Sequence, residues 1–395
     1  MTVGIDAIGV AVPDTYLELS ELAAARNVPA EKYTEGLGTV RMGVPAVDED
    51  TVTLAARAAS HALETAGVAA SEIGLCVVGT ETAVDHSKPV ASFVQGLLGL
   101  PRTCRVFETK HACYGGTAGL QNALDWIRAG SARGKKALVI CADIARYGLR
   151  SAGEPTQGAG AVALLVSASP RLVSMDDAVG THSSDVSDFW RPLYSKDAVV
   201  DGHYSVGCYL DAIEGAWRDY LAKAGAEGAS RYSDRFAAMV YHVPYGKMAR
   251  KAHRHLRTVD QDPEPDLSFE RLVAAGLVAP SQIGNVYTGS LYLSLASTLT
   301  FSKEDLSGKQ LSMFSYGSGS CADFFSGTVQ DGAQERFRAA GLLSLLEQRR
   351  RLTLAEYEAV MNEREALDQK PLTCATRPGF RFLGVKDHRR MYSAG

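Results

Sequence analysis

The chain has 395 residues, 46% hydrophobic and 8% aromatic, enough for a sizeable core and too long for one ordinary small domain. A net charge of −4, from 41 Lys+Arg against 45 Asp+Glu, leaves no basic domain and argues against a nucleic-acid partner. No run of about 18 apolar residues points to a membrane span, and the opening Met1-Thr2-Val3-Gly4-Ile5-Asp6 lacks the basic and apolar regions of a signal peptide. Seven scattered cysteines (Cys76, Cys104, Cys113, Cys141, Cys208, Cys321, Cys374) never form a CxxC pair. That usage fits a reducing cytoplasm and argues against a zinc site.

In chain order, Ala55, Ala58, Ala59, Ala62 and Ala66 form the apolar stripe of a helix that stops at Gly67. Residues 73–78 read as a buried strand that delivers Glu81 just past its end. The run Phe107-Glu108-Thr109-Lys110-His111-Ala112-Cys113-Tyr114-Gly115-Gly116-Thr117 leads into a helix with Leu120, Ala123, Leu124 and Ile127 on one face, which Gly130 can close. A cysteine at such a junction can be a nucleophile, because a helix N-terminus favours thiolate over thiol. Gly115 and Gly116 would let an acyl group approach the backbone. A small buried hydrophobe beside a tight turn is the alternative. Residues 137–141 and 161–166 read as further buried strands.

In the second half, Leu210, Ile213, Trp217, Tyr220 and Leu221 mark an amphipathic helix, and residues 236–241 a strand ending at His242-Val243-Pro244. The basic stretch 247–257 is either a solvated helix face or a rim that attracts a polyphosphate. Residues 260–266, with Pro263 and Pro265, read as an exposed loop. Residues 291–299 read as a buried helix and 311–316 as a strand running into Gly317-Ser318-Gly319-Ser320. Helix is expected over 342–364 and strand over 380–385. Alternation of this kind means an α/β fold with a largely buried sheet. The halves correspond in pattern but not in identity, which raises duplication as an expectation.

Glu81, Cys113, His242 and the 315–320 loop all fall at strand ends, where α/β sheets gather reactive groups. Glu81 is either an inert exposed carboxylate or a general base whose pKa burial has raised. His242 is either structural or a partner to a thiolate or an oxyanion. The 315–320 loop lacks the Gly-Lys-Ser/Thr ending of a phosphate loop but can present N–H groups to an oxyanion. The residues alone favour acyl transfer through a thioester on Cys113, with Glu81 removing a proton from the bound acyl methyl. A Cys/His hydrolase and a non-catalytic scaffold remain alternatives.

Further motifs sharpen this. They are Gly79-Thr80-Glu81-Thr82-Ala83-Val84-Asp85, Ala112-Cys113-Tyr114-Gly115-Gly116-Thr117, Ala145-Arg146-Tyr147-Gly148 and the run Gly153-Glu154-Pro155-Thr156-Gln157-Gly158. Asp188-Phe189-Trp190-Arg191-Pro192, His242-Val243-Pro244-Tyr245-Gly246-Lys247-Met248, Gly284-Asn285-Val286-Tyr287-Thr288-Gly289-Ser290 and Ser315-Tyr316-Gly317-Ser318-Gly319-Ser320 follow. In this order they resemble the 3-hydroxy-3-methylglutaryl-CoA (HMG-CoA) synthase family of the thiolase-like superfamily, over essentially the whole chain. The resemblance implies a thiolase-like α/β fold of two similar βαβαβαββ halves in a five-layered α-β-α-β-α arrangement. Residues 1–168 would carry the Glu and Cys, and 169–395 the His and the Gly-Ser loop.

It also implies roles. Cys113 would be acetylated by acetyl-CoA, Glu81 would deprotonate the acetyl methyl, and His242 would polarise the ketone of acetoacetyl-CoA and protonate the alkoxide. Asn285 and Ser318 would help fix acyl oxygens, with backbone N–H groups of Cys113 and the Gly317 region as oxyanion donors. Tyr147 and Thr156 would line the pocket, and Lys247 and Lys251 would meet CoA phosphates. No metal or other cofactor is implied, and a homodimer is. His111 and Pro89 depart from the family pattern; a protonated His111 would raise the thiolate content of Cys113. Close relatives build β-branches on polyketides from groups held on acyl carrier proteins, so a carrier protein is the alternative partner to CoA. A decarboxylating ketoacyl-synthase-type condenser would not need Glu81.

Overall fold

The computed structural model describes residues 2–366 and 379–394. Nine strands form the central sheet: β1 (Gly4–Ala11), β2 (Ile73–Gly79), β3 (Arg105–Thr109), β4 (Lys136–Ala145), β5 (Gly158–Ser167), β6 (Val173–Ser183), β7 (Ala238–Tyr241), β8 (Gln310–Gly317) and β9 (Cys321–Val329). Their spatial order is β7-β8-β9-β6-β1-β5-β4-β2-β3. The two central strands, β1 and β6, meet only at Gly4–Ser174 and Ile5–Val173.

Outward from that seam the two sides repeat one pattern. β1, β5, β4 and β2 are joined by two antiparallel pairings and then a parallel one. β6, β9, β8 and β7 follow the same sequence. On the first side β3 adds a further parallel strand. The duplication that identity cannot show is therefore visible in topology.

The principal helices repeat as well. They are α1 (Thr51–Ala66), α2 (Gly115–Arg128), α3 (Gly202–Lys223), α4 (Gly246–Val259), α5 (Ser290–Phe301) and α6 (Leu354–Ala366). Helix α1 crosses β1 and β5, and α3 crosses β6 and β9. Each crossing is close enough to demand glycine in the strand below. A Cβ on Gly9 would lie 2.1 Å from the carbonyl oxygen of Ala58, and one on Gly180 would lie 2.1 Å from that of Ala216.

Strand alternation divides the core. Val77, Val139 and Leu164 face a cluster built around Leu120, Leu124 and Ile127 of α2 and Leu291, Leu295 and Leu299 of α5. Val78, Leu138, Ile140 and Leu165 point the other way, onto the alanine stripe of α1. In the second half Met239, Tyr241, Phe314 and Phe324 pack on α3 and α4.

Four expectations change in detail. The strand expected over 236–241 begins at Ala238, because Tyr232–Arg235 forms a 3₁₀ turn ahead of it. The helix expected over 342–364 is broken: Arg350–Arg351 pairs with the short strand Thr15–Glu18 before α6 begins. The restart is written in Thr353-Leu354-Ala355-Glu356, where Thr353 N–H donates to Glu356 Oε2 (2.8 Å) and Glu356 N–H to Thr353 Oγ1 (3.3 Å). The loop expected to be exposed over 260–266 opens on a buried residue, Asp260, whose carboxylate accepts from Tyr232 N–H and Ser233 N–H. The strand expected near the end is one arm of a hairpin, β10 (Phe380–Lys386) and β11 (Arg389–Ala394). Cys374 lies outside the described residues.

The twin glycines generate a prediction. Gly180→Val forces α3 away from β6, and overpacking of this kind costs about 1–3 kcal/mol or more. The apparent Tm should fall by several degrees, with a similar fall for Gly9→Val. Unchanged thermal unfolding would contradict the close crossing.

Candidate active site

Glu81, Cys113 and His242 each lie beyond the end of a strand, and Glu81 and Cys113 are brought into contact. Glu81 follows β2 on a segment pinned by Asp143, a buried residue of β4. Thr80 Oγ1 (2.8 Å), Glu81 N–H (2.9 Å), Thr82 N–H (3.0 Å) and Thr82 Oγ1 (2.7 Å) all donate to Asp143 Oδ1. The other oxygen accepts from Thr288 N–H (3.0 Å) and Thr288 Oγ1 (2.5 Å), which belong to the second half. The carboxylate thus ties the Glu81 segment to the Asn285–Ser290 turn.

Cys113 lies just before α2, beyond Ala112, whose φ of 35° turns the chain sharply. Its thiol donates to Glu81 Oε1 at 3.2 Å. Burial pushes the Cys113 thiol well above its ordinary pKa, and the adjacent Glu81 charge pushes it the same way. Burial, seconded by Asp143, raises Glu81 to about 8. The expectation that the helix terminus favours thiolate is therefore corrected. Desolvation and a neighbouring carboxyl group outweigh the helix terminus, and the resting form is a thiol donating to one oxygen of Glu81, with the two groups coupled in their titration.

His242 stands at the end of β7, 3% exposed, and its backbone N–H donates to Phe314 O. Tyr209 supports it from below, donating to the His242 carbonyl at 2.8 Å and stacking on the ring. Burial lowers its pKa to about 3, so the imidazole is neutral and offers one N–H and one lone pair.

The Gly-Ser loop backs directly onto the Cys113 turn: a Cβ on Gly317 would lie 2.5 Å from Tyr114 N. Asp188, fully buried, holds the loop, accepting from Ser318 Oγ (2.8 Å), Tyr316 OH (2.7 Å), Ser205 Oγ (3.1 Å) and Gly319 N–H (3.0 Å). Ser318 thus commits its hydroxyl proton to Asp188. Asn285 is fixed through its amide oxygen, which accepts from Tyr287 N–H and Ser290 Oγ, both at 2.9 Å. Tyr147 and Thr156 share the loop between β4 and β5. Tyr147 sits near enough to Glu81 and Cys113 that their charges oppose its ionisation, which burial already raises to about 12.

Lys247 and Lys251 lie on the exposed face of α4. Their neighbours on that face are engaged, Arg250 with Glu270 (2.8 Å) and Arg254 with Asp266 (3.7 Å), whereas the two lysines carry no ion pair among the described residues. His253 and Arg257 of the same stretch are buried, so the basic run is part core and part rim. His111 is held neutral by burial, and its ring meets Tyr114 edge-on at 5.7 Å. It supplies no positive charge to Cys113. Pro89 caps the helix Val90–Leu98.

Sequence reading missed Asp143 and the role of Asp188. The signal for Asp143 was present: it is the one charged residue inside the apolar run of β4 after Lys136. Among the described residues, no helix is long and apolar enough to cross a membrane and no acid, histidine and cysteine cluster could hold a metal.

An α/β fold of paired halves, with a thiol, a carboxyl group and a neutral imidazole at its strand ends, defines an acyl-transferring condensing enzyme. Profiles described as "Hydroxymethylglutaryl-coenzyme A synthase N terminal" and "C terminal" match residues 1–170 and residues 173–268 and 266–377. The hydroxymethylglutaryl-CoA synthase of Enterococcus faecalis is 40% identical over 366 residues, 92% of each chain. The polyketide biosynthesis 3-hydroxy-3-methylglutaryl-ACP synthase PksG of Bacillus subtilis is 35% identical, over 91% of this chain and 87% of its own. Among solved structures, MvaS in complex with 3-hydroxy-3-methylglutaryl coenzyme A superposes with a TM-score of 0.93 at 50% identity, covering 99% of both chains. This chain belongs to the HMG-CoA synthase family, and its activity is that of an HMG-CoA synthase.

The coupling of Cys113 to Glu81 has a measurable consequence. At pH 9 the Glu81 carboxylate opposes ionisation of Cys113. Glu81→Gln removes that charge, so the thiol pKa falls and alkylation of Cys113 by iodoacetamide at pH 9 should be several-fold faster. Equal or slower alkylation would break the coupling.

Proposed function

We propose that the chain condenses acetyl-CoA with acetoacetyl-CoA and water to HMG-CoA and CoA through an acetyl thioester on Cys113. The observation that carries this reading is the 3.2 Å contact between Cys113 Sγ and Glu81 Oε1, with the neutral His242 stacked on Tyr209, a residue close enough to Cys113 for a thiolate there to oppose its ionisation. As sulfur attacks the acetyl carbonyl the Cys113 thiol gives up its proton, which ends, by way of water, on the departing CoA sulfur, a transfer that does not require Glu81. In its ionised form Glu81 then removes a proton from the acetyl methyl. The resulting carbon nucleophile attacks the ketone of acetoacetyl-CoA, whose oxygen becomes an alkoxide and takes the proton of the His242 N–H, while the proton that Glu81 removed from the methyl passes through water to the imidazole and frees the carboxylate. Water then cleaves the thioester and restores the Cys113 thiol.

Backbone N–H groups of Cys113 and the Gly317 region serve the oxyanions, and Asn285 helps fix an acyl oxygen. Ser318 contributes by holding the loop through Asp188 rather than by donating its hydroxyl to substrate. Tyr147 and Thr156 line the acyl pocket, and Lys247 and Lys251 meet the CoA phosphates.

A second reading puts the acyl groups on carrier proteins. The curacin-pathway HMG synthase, 33% identical over the full length of both chains with a TM-score of 0.93, has been solved with an acetyl donor carrier protein. The surface of α4 favours CoA. Two exposed lysines with no ion pair among the described residues suit phosphates, whereas the arginines beside them are engaged by Glu270 and Asp266. The same reading takes in the five-layered arrangement, for which the three apolar clusters speak, and a division at 168/169, in the turn between β5 and β6. A homodimer in a reducing cytoplasm goes with it.

Incubation with acetyl-CoA alone should leave an acetyl group on the Cys113 peptide, and Glu81→Ala should still acetylate yet fail to condense. An unmodified Cys113 peptide in active enzyme would remove the thioester from the mechanism. Under matched conditions acetyl-CoA should acetylate Cys113 faster than an acetyl carrier protein does, with Lys247→Ala and Lys251→Ala raising KM for the CoA donor. Faster transfer from the carrier protein would reverse the donor assignment.

A further inference from the structure

The hairpin β10–β11 lies beyond residue 377, where the family profile stops. It is nevertheless wired towards the catalytic cavity. Arg390 Nη2 (2.9 Å) and Tyr392 OH (2.7 Å) both donate to Asp50 Oδ2. The Tyr392 ring is wedged between Phe93 and Phe382, with centroids at 5.3 and 5.5 Å. Asp50 is the cap of α1, its other oxygen accepting from Thr53 N–H at 3.0 Å. The next residue, Thr51, is buried and donates from Oγ1 to Thr82 O at 2.8 Å.

The Glu81–Thr82 segment is therefore gripped from two sides. Asp143 takes its N–H groups, and Thr51 takes the carbonyl that follows. Asp50, Thr51, Arg390 and Glu81 line one cavity of about 640 Å³. Asp143 reaches the segment from within the sheet. Thr51 reaches it from a helix start that the C-terminal hairpin holds in place.

We propose that Thr51 is a positioning residue for the Glu81 carboxylate, and that Arg390 and Tyr392 act through Asp50 to hold Thr51 in register. The inference rests on the reading of Glu81 as the base. Neither Thr51 nor the hairpin touches a reacting atom. Their effect falls on the step with the strictest demand on Glu81, removal of a methyl proton from the Cys113-bound acetyl group. That transfer needs hydrogen-bond reach, and a displacement of about 1 Å can cost up to about 100-fold. Acetylation of Cys113 needs no such placement.

The test measures the two half-reactions separately in the full chain: acetylation of Cys113 by acetyl-CoA, and condensation of pre-formed acetyl-enzyme with acetoacetyl-CoA. Thr51→Val should lower condensation about tenfold or more while leaving acetylation and KM for acetoacetyl-CoA near wild type. Thr51→Ser, which keeps the hydroxyl, should restore it. The double variant Arg390→Met/Tyr392→Phe should lower condensation in the same selective way. Unimpaired condensation in Thr51→Val, an equal loss of both half-reactions in Thr51→Val or the double variant, or no rescue by serine would each overturn the proposal. So would a hairpin double variant that condenses normally. Glu81→Ala, run alongside, keeps the two ideas apart: normal condensation there would sink the role of Glu81 itself, whatever Thr51 does.

Discussion

Six donors converge on the Asp143 carboxylate, four on one oxygen and two on the other, and through them the two halves of the molecule acquire a common reference point. Thr80, Glu81 and Thr82 come from the end of one strand, and Thr288 from a turn in the opposite half. A charge buried this deeply is tolerated only when its lone pairs are satisfied. The Glu81 segment and the Asn285–Ser290 turn are therefore each bound to the place where the other also belongs. Across the sheet the halves share just two residue pairs, and this polar clamp, beside the apolar cluster shared by α2 and α5, ties the Glu81 segment to the opposite half. Within the second half, Asp188 pins the Gly-Ser loop through several donors of its own.

The protonation state of the cavity follows from the same burial. Desolvation raises the thiol and the carboxyl group and lowers the imidazole, and each shift favours the neutral form. Near neutral pH the resting site thus keeps the Cys113 thiol and the Glu81 carboxyl group protonated and carries no extra proton on His242. Such a site handles charge only as chemistry creates it. This suits a reaction whose intermediates are carbanion-like and alkoxide-like, and whose competing reaction is premature hydrolysis of the thioester.

Much of this was legible in the sequence because it depends on periodicity and punctuation. The alanine stripe of α1, its stop at Gly67, the buried strand ahead of Glu81 and the helix after Cys113 all follow from local pattern. Glu81 and Cys113 do meet, at 3.2 Å, and His242 stands at the end of another strand, β7. What was not legible depends on partners distant in the chain. The helix-terminus argument for a Cys113 thiolate failed because it is local, whereas Glu81 and the desolvating walls arrive from 32 residues away and from the other half. Ser318 looked like a donor to substrate because nothing nearby in sequence shows that Asp188, 130 residues away, takes its proton. The break before α6 was readable from the Thr353–Glu356 capping box, and the charge inside β4 marked Asp143.

The paired glycines under α1 and α3 bear on how such an enzyme can diverge. Where helix backbone rests on strand backbone, the spacing of the layers is set by the absence of a side chain, and both halves carry that constraint at the corresponding crossing. A duplicated frame locked in this way leaves little freedom in its walls. Novelty is then confined to the segments that leave the strand ends, and there the halves have ceased to be alike: one presents the carboxyl group and the thiol, the other the imidazole and the loop behind them. One layer spacing, met twice, thus carries a different set of polar groups each time.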